Sequence, residues 1–396
     1  MAAESPFLQV KVECPVCKTI NEFDQVKVGA FIEGGRDTDF CPTDIMWRNP
    51  KYQAYNPLAF FTATCGNCFY TRELTNKYRD WKSDTAYRSY RLKTIKTKHL
   101  EQLSRADSII KSLGQGIDLQ RFPNESAILK LHLAAYDTLL CDHPSSLDVA
   151  RFYLRIGWLF RGLGGVENPS QMILTGLIKE IEGRHTEFVE SLQSAQEAFL
   201  ALKKTVNDHF QAESIPAEKQ SQMFSLRDSL EGGLKELESG SNQMDDRAGS
   251  MKDLINEYRT ILLGSESGDG QVPFGSFDSF TSMLISLKAD WSGVCINEHE
   301  ALEQAIQYYK EAFAKGKDIG EGAQKIQASY LIAELSRRIG DHDGAKQYFT
   351  STIKTGQEFI YENRRDQSRT VLTRKILELA IEQGRSNLAA AKKGNG

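Results

Sequence analysis

The pattern that decides the fold is Cys14-Pro15-Val16-Cys17, which returns in the same form as Cys65-Gly66-Asn67-Cys68. Only two of the seven cysteines lie beyond residue 70. Two thiolates separated by two residues can hold one face of a metal ion, and two such pairs complete a tetrahedron. Four sulfurs suit zinc and leave no position for water or substrate. We therefore predict a structural zinc site.

Composition argues against several classes of protein. The net charge is −4 over 396 residues, so the chain as a whole has no general attraction to nucleic acid or to an anionic membrane. No apolar run approaches the roughly 18–20 residues that span a bilayer, and residues 1–6 do not begin a secretory signal. An odd number of cysteines favours metal-bound thiolates in a reducing, cytoplasmic setting over a disulfide framework.

The segment between the two cysteine pairs is longer than a simple zinc ribbon requires. Residues 8–12 alternate in polarity, which predicts a short strand before the first pair. We expect a β-hairpin insertion after that pair, with its loop at residues 34–39. Gly66 and Asn67 are expected to adopt the partly left-handed turn that points backbone N–H groups at a thiolate.

Four further residues in this segment have two interpretations each. Cys41 either replaces one of the four zinc ligands or lies buried as a small apolar side chain. Arg36, Asp37 and Asp39 either carry a binding role or stabilise their loop through ion pairs and local hydrogen bonds.

A family resemblance rests on Arg-Asp-Thr-Asp-Phe-Cys-Pro at residues 36–42, Asn-Pro-Leu at 56–58 and Cys-x-x-Cys-Phe-Tyr at 65–70. In these motifs the chain resembles the bacterial domain-of-unknown-function family 2225, over residues 10–165 and part of the last hundred. The resemblance implies a double Cys-x-x-Cys head with a helical tail similar to tetratricopeptide repeats. The family is uncharacterised, so the resemblance does not indicate any particular activity. The chain departs from the family in carrying Lys18 and Phe69 where glycine commonly follows the second thiol. It also carries a long central helical insertion.

Residues 72–113 form the basic part of the chain, with eleven Lys or Arg against five Asp or Glu. Within residues 72–98, basic side chains alternate with Tyr78, Trp81, Tyr87 and Tyr90. One interpretation is nucleic-acid binding, in which the cations contact phosphates and the aromatic rings stack on bases. The other is that the rings pack on the zinc module while the basic groups face solvent.

Two stretches predict pairs of helices. The first lies in residues 124–165, where we expect Gly164-Gly165 to end the second helix. The second lies in residues 331–349 and turns at Gly340-Asp341. Its small residues resemble those at which the helices of a tetratricopeptide repeat cross. Further helices are expected at about 296–316 and 366–392.

A heptad pattern predicts two long helices between these blocks. Apolar residues follow it from Ile178 to Val206 and from Met223 to Leu262, with a break near Ser214-Ile-Pro216. We expect an antiparallel coiled-coil hairpin, or pairing of one helix with a second protomer. The second helix is expected to break at its glycines, which are Gly232, Gly233 and Gly240.

Searches for catalytic motifs find neither a phosphate-binding glycine loop nor a nucleophile elbow. The seven histidines are scattered, and His185 is expected to be packed on the heptad seam. Cys141 and Cys295 are expected in helix cores. We therefore predict that the chain is not an enzyme.

The predicted fold is mainly α. A zinc-ribbon-like β module precedes helical hairpins resembling tetratricopeptide repeats, with a central antiparallel coiled-coil insertion. The predicted domains are residues 1–75 (zinc module), 76–170 (first helical block), 171–263 (coiled-coil hairpin), 264–278 (linker) and 279–396 (second helical block). The predicted function is a zinc-binding scaffold or adaptor for a protein partner, with zinc on Cys14, Cys17, Cys65 and Cys68. Nucleic-acid binding through residues 72–98 and thiol redox sensing are the alternatives.

Overall fold

A computed structural model describes residues 5–75, 77–166, 169–212, 220–263, 277, 279–316 and 318–394. The chain divides into two compact units. The first comprises residues 1–165 and 272–396, and the second comprises residues 166–271. The described part is mainly helical, with small antiparallel strand pairs at the N-terminus, as the sequence predicts. The finer five-part division into domains stays a prediction.

The N-terminal head consists of three antiparallel strand pairs. They are β1 (Phe7–Glu13) with β2 (Ile20–Val26), β3 (Phe31–Arg36) with β4 (Pro42–Trp47), and β5 (Thr62–Thr64) with β6 (Thr71–Glu73). The turns of the first and third pairs contain the cysteines, and the second pair is the expected hairpin insertion. Its turn lies at residues 37–41 rather than at 34–39, because Gly34 and Gly35 belong to β3. A Cβ atom at Gly34 would lie 2.8 Å from Asp44 Cβ, so this strand position requires glycine.

Eleven α-helices follow in the described residues. They are α1 (Leu92–Ser104), α2 (Ile109–Gln115), α3 (Pro123–Leu139), α4 (Ser146–Val166), α5 (Pro169–Ala212), α6 (Gln220–Leu263), α7 (Phe280–Asp290), α8 (Glu298–Lys315), α9 (Ala323–Arg338), α10 (His342–Glu362) and α11 (Gln367–Gly394). The expected stop at Gly164-Gly165 lies one residue before the end of α4 at Val166. Each glycine costs a helix about 1 kcal/mol relative to alanine, which weakens the last turn of α4.

Helix α3 lies at the centre of the first unit. Residues along almost its whole length are buried, and its apolar side chains pack with α4, α8 and α9 in one core and with α2 and α7 in another. A separate cluster fills the head, where Tyr78, Trp81 and Tyr87 pack around the cysteines. Helix α3 therefore forms the base on which the third strand pair of the head rests.

The last three helices of the first unit pack as successive hairpins. Helices α9 and α10 turn at Gly340, whose φ of +84° favours glycine. Asp341 then begins α10 by accepting a hydrogen bond from the Gly344 amide (2.9 Å). Tyr330, Ala333, Ala345 and Phe349 form a small core between these helices, together with Ile376 and Ala380 of α11.

The second unit contains α5 and α6, each 44 residues long. The two helices are antiparallel neighbours, because residues later in α5 contact residues earlier in α6. His185 Nε2 donates to the carbonyl of Ala248 (2.9 Å), and Lys203 pairs with Glu238 (3.2 Å). The expected break in α6 is wrong, since the helix runs unbroken through its glycines. The turn predicted at Ser214-Ile-Pro216 lies outside the described residues, as does all of the linker predicted at residues 264–278 except residue 277.

Candidate metal centre

The two cysteine turns have the same backbone hydrogen bonds. In the first, the Cys14 amide donates to the carbonyl of Thr19 (2.8 Å), and the Lys18 amide donates to the carbonyl of Cys14 (3.0 Å). In the second, the Cys65 amide donates to Tyr70 (3.0 Å), and the Phe69 amide donates to Cys65 (2.9 Å). Each turn therefore closes its strand pair and places both of its sulfurs on one side.

The left-handed residue in each turn is the one that follows the second cysteine. Lys18 has a φ of +68° and Phe69 a φ of +62°, while Gly66 does not have a positive φ. The expectation of left-handed geometry at Gly66 and Asn67 is therefore wrong. A side chain at a left-handed position costs roughly 1–2 kcal/mol in backbone strain.

The four predicted ligand sulfurs converge. Cys14 Sγ lies 3.7 Å from Cys68 Sγ, and Cys17 Sγ lies 3.4 Å from Cys65 Sγ. All four sulfurs lie within 4.8 Å of one another. A tetrahedron with zinc–sulfur bonds of about 2.3 Å has sulfur–sulfur edges of about 3.8 Å, so the set has the size of a four-thiolate zinc site. Cys14, Cys65 and Cys68 are buried and Cys17 is half-buried, which makes this a closed site.

The electrostatics of the cluster also suit a cation. The neighbouring Cys14 thiol lowers the pKa of Cys65, while the proximity of Cys65 raises the pKa of Cys14 to about 12. Amides of Asn67 and Cys68 point at Cys65, and the amide of Thr19 points at Cys17. N–H groups directed at sulfur stabilise thiolates. These residues therefore fit a divalent, thiophilic metal.

Tyr78 gives a second indication that a charged cluster belongs here. Its hydroxyl is buried, faces Cys14 without completing a hydrogen bond, and has no partner among the described residues. Burial raises the pKa of Tyr78, and the nearby Cys14 raises it further, so the hydroxyl keeps its proton. A buried unpaired hydroxyl is costly. A metal-bound Cys14 thiolate would accept its proton in a hydrogen bond.

Asn21 connects the two turns, which the sequence analysis missed. Its Nδ2 lies 3.5 Å from Cys65 Sγ and donates to the carbonyl of Thr19 (2.9 Å). Its Oδ1 accepts a hydrogen bond from the Gly66 amide (2.9 Å). One side chain thus orients both halves of the cluster. Its only signal in the sequence is its position four residues after Cys17, which is weak alone.

A buried pair from the helices holds the second turn. His99 Nε2 donates to the carbonyl of Cys68 (2.8 Å), and His99 Nδ1 donates to Asp137 (2.6 Å). Asp137 also accepts a hydrogen bond from the Thr71 amide (2.8 Å). Burial alone would lower the pKa of His99, but the attraction of Asp137 more than offsets it, and the pKa is raised. Both ring nitrogens face acceptors, an arrangement that favours the protonated imidazolium form of His99.

The aromatic residues of the basic stretch pack inside the head. Tyr78, Trp81 and Tyr87 are buried, and Trp81 Nε1 donates to the carbonyl of Glu13 (2.9 Å). The guanidinium of Arg72 stacks 3.9 Å above the ring of Tyr87. Tyr90 is 81% exposed. In this arrangement, Tyr90 alone of the four predicted stacking residues presents its ring to solvent.

Arg36, Asp37 and Asp39 form ion pairs. Arg36 pairs with Glu33 of its own strand (2.9 Å). Arg161 of α4 contacts Asp37 (3.0 Å) and the fully buried Asp39 (2.7 Å). Asp37 also pairs with Arg338 of α9 (2.7 Å). These ion pairs connect the β3–β4 turn to α4 and α9. They agree with the interpretation in which the motif stabilises its loop.

The other three cysteines lie apart from the cluster. Cys41 is buried beside the β3–β4 turn, and burial raises its pKa to about 12. Cys141 is half-buried after the end of α3. Cys295 is buried in the loop before α8 rather than in a helix, and its amide donates to His132 Nε2 (3.0 Å). None of the three belongs to the group of sulfurs that the described residues bring together.

The fold and the cluster define a mainly helical protein with a four-cysteine β head. The chain belongs to the family described as "Uncharacterized protein conserved in bacteria (DUF2225)", whose model matches residues 7–201 and 284–371. This confirms the resemblance found in the sequence. The match extends into α5, so the unmatched central segment is residues 202–283 and is shorter than the predicted insertion.

Searches of curated proteins and of solved structures each gave no match. Among the described helices, none combines the length and the apolar character needed to cross a bilayer.

Proposed function

We propose that the chain is a non-enzymatic adaptor whose head is held together by zinc on Cys14, Cys17, Cys65 and Cys68. The observation that carries the proposal is the convergence of these four sulfurs within 4.8 Å in a closed site. A closed set of four thiolates leaves no open coordination position, and so favours a structural ion over a catalytic one. Zinc in this site would supply cross-linking of the two turns, and a reducing compartment would keep the thiols available.

The helical body is proposed to bind the partner. Helices α9–α11 pack as hairpins around Ala333 and Ala345, small residues that allow close helix approach and support a tetratricopeptide-like interpretation. Stacked helical hairpins form extended surfaces that commonly bind other proteins.

The second unit adds a further surface for association. Its heptad pattern and antiparallel contacts support a coiled-coil interpretation of α5 and α6. Phe188, Leu202, Leu237 and Met244 on these helices are about half exposed. Apolar side chains left in solvent along a heptad pattern favour burial against a partner or a second copy of the chain.

Affinity capture tests the proposal. The full chain is immobilised and exposed to a bacterial lysate with and without nuclease, and retained material is quantified by mass spectrometry. We expect one protein retained in near-stoichiometric amount and insensitive to nuclease. Leu237→Glu and Met244→Glu, which change exposed positions, separate binding by the second unit from binding by the first. Nucleic acid retained without a stoichiometric protein would contradict the adaptor function and favour the nucleic-acid alternative.

A further inference from the structure

Two adjoining cavities lie in the first unit, beside the β3–β4 turn. The arginine cavity has a volume of about 310 Å³ and is lined by residues of α4, α8, α9 and the turn, including Arg36, Arg151 and Arg155. The apolar cavity has a volume of about 320 Å³ and lies against the head. Both are lined by Pro42 and Trp158, so the two spaces adjoin.

Arg155 is a cation without an acidic partner. Within the described chain no carboxylate pairs with it; its guanidinium lies 4.2 Å from the ring of Phe61 and donates only to the carbonyl of Arg151 (3.1 Å). The attracting carboxylates of Glu73 and Asp148 are already paired with Lys77. Arg155 is half-buried in the cavity wall, and this burial lowers the pKa of its guanidinium. A nearby anion stabilises a cation that is partly removed from water.

A second arginine on the same helix shows how the fold neutralises a cation that has a structural role. Arg161 contacts three carboxylates, those of Asp37, Asp39 and Glu298. The arginine cavity has three arginines and no acidic residue among its described lining. Arg36 and Arg151 have local acidic neighbours and are exposed. Arg155 therefore carries the charge in this cavity that no carboxylate neutralises. An anion from outside the chain would neutralise it.

The rest of the lining indicates what is attached to that anion. Phe40, Leu154, Tyr309 and Leu331 make the arginine cavity largely apolar around its cations. The adjoining cavity has the volume for a large apolar side chain and is lined by Phe31, Ile45, Leu58, Phe60 and Phe61. Gln327 adds a side-chain amide that makes no hydrogen bond in the described structure, and such an amide can pair with a peptide backbone.

We propose that the two cavities together bind a short acidic segment of a partner protein, with a carboxylate on Arg155 and the neighbouring apolar side chain in the apolar cavity. This inference rests on the proposed adaptor function and names the chemistry of its partner. The planar guanidinium matches a carboxylate in a two-pronged contact, and the ring of Phe61 holds it in place.

Fluorescence anisotropy with the full chain tests this site. The probes are labelled octapeptides of Ser and Gly with a central Glu beside Leu or Phe, and matched peptides with Gln in place of Glu. We expect saturable binding of the acidic peptides and at least about tenfold weaker binding of the Gln peptides, because hydrogen bonds to charged groups are the strong ones. Arg155→Gln should weaken acidic-peptide binding by a similar factor.

Two further variants make the result decisive. Arg369→Gln removes the same charge from an exposed position on α11, and it should leave peptide binding unchanged. Arg155→Lys keeps the charge but loses the two-pronged contact, so it should weaken binding even if Arg155→Gln fails to fold, which circular dichroism would report. Equal binding of Glu and Gln peptides, or equal effects of Arg155→Gln and Arg369→Gln, would overturn the inference. Arg155-dependent binding of decanoate without any peptide binding would overturn the assignment to a peptide.

Failure of this site is distinguishable from failure of the adaptor function. If the chain captures its partner as well with Arg155→Gln as without it, and no acidic peptide binds, the cavity assignment fails and the adaptor function stands. If acidic peptides bind through Arg155 but no protein is captured from lysate, the cavity assignment stands and the adaptor function fails.

Discussion

The two cysteine turns have the same local structure but are supported in different ways. The first turn is supported at its ends by surface contacts, in which the half-exposed Lys18 and the exposed Lys82 both pair with Glu13. The second turn is supported by buried groups, because its Cys68 carbonyl accepts a hydrogen bond from His99, which is paired with Asp137. Hydrogen bonds within each turn position the ligand cysteines, while contacts with α1 and α3 determine how rigid each turn is. The second turn should therefore be the rigid half of the metal centre.

Replacing ligands should have the largest effect. Cys65→Ser is expected to remove the metal and unfold the head, because structural zinc contributes on the order of 10 kcal/mol to small domains. Cys17→Ser, at the half-buried position, should also lose metal but retain more order in the second turn. Metal analysis and hydrogen exchange over residues 7–75 measure both outcomes. Cys41→Ser is the matched control and should keep the metal. Metal loss in that variant would contradict the ligand assignment.

Breaking the buried His99–Asp137 pair should have the second-largest effect on stability. His99→Ala is expected to destabilise the first unit by about 3–5 kcal/mol, because it leaves the Asp137 carboxylate buried and unpaired. Lys82→Ala breaks the exposed pair with Glu13 at the first turn and should cost at most about 1 kcal/mol. Urea unfolding of the two variants measures the difference. Equal effects would remove the distinction between the turns.

The two left-handed residues should differ in how much stability they lose on replacement by glycine. Phe69 packs so closely on α2 that a Cβ atom at Gly114 would lie 2.2 Å from Phe69 Cγ. Phe69→Gly is expected to cost about 2–3 kcal/mol through lost packing. Lys18→Gly should change stability by less than about 1 kcal/mol, since relief of the positive φ offsets the loss of exposed contacts.

A double-mutant cycle sharpens this prediction. Gly114→Ala should destabilise the natural chain by about 1–3 kcal/mol, because its methyl group meets the Phe69 ring. In the Phe69→Gly background the same substitution should be close to neutral. An additive cycle, measured by urea unfolding, would show that Phe69 does not pack against α2 in this way.

Removing Asn21, which links the two turns, should have the smallest effect on stability. Asn21→Ala is expected to lower stability by about 1 kcal/mol, with the four sulfurs still able to hold metal. Competition with a chelator should show faster metal loss from this variant than from the natural chain. Glu22→Ala, which changes an exposed residue next to Asn21 on β2 and leaves the cluster contacts in place, provides the comparison. Identical rates would mean that Asn21 does not couple the turns.

The sequence was sufficient for the features that depend on local spacing. The four cysteines and the hairpin between them followed from short patterns, as did the helices at α8 and α11. Features that depend on distant residues were not predictable. His99 and Asp137 are separated by 38 residues and meet only because α1 packs near α3. Arg161 similarly reaches Asp37 across 124 residues of sequence.

The prediction from the sequence gave glycine too much weight as a residue that breaks helices. Local propensity predicted a break at Gly232, Gly233 and Gly240, yet α6 continues through these positions. In α6 the glycines are few among 44 residues, and pairing with α5 supports the helix on both sides of them. The left-handed positions were missed for a related reason. Gly66 has the freedom for positive φ, but the hydrogen bonds of the turn require it at Phe69.

Native mass spectrometry of the full chain, with and without a strong chelator, tests the central claim most directly. We predict one zinc ion per chain, its loss on chelation, and a simultaneous loss of hydrogen-exchange protection in residues 7–75. A chain that carries no transition metal and keeps the same protection with chelator present would contradict the zinc-held head.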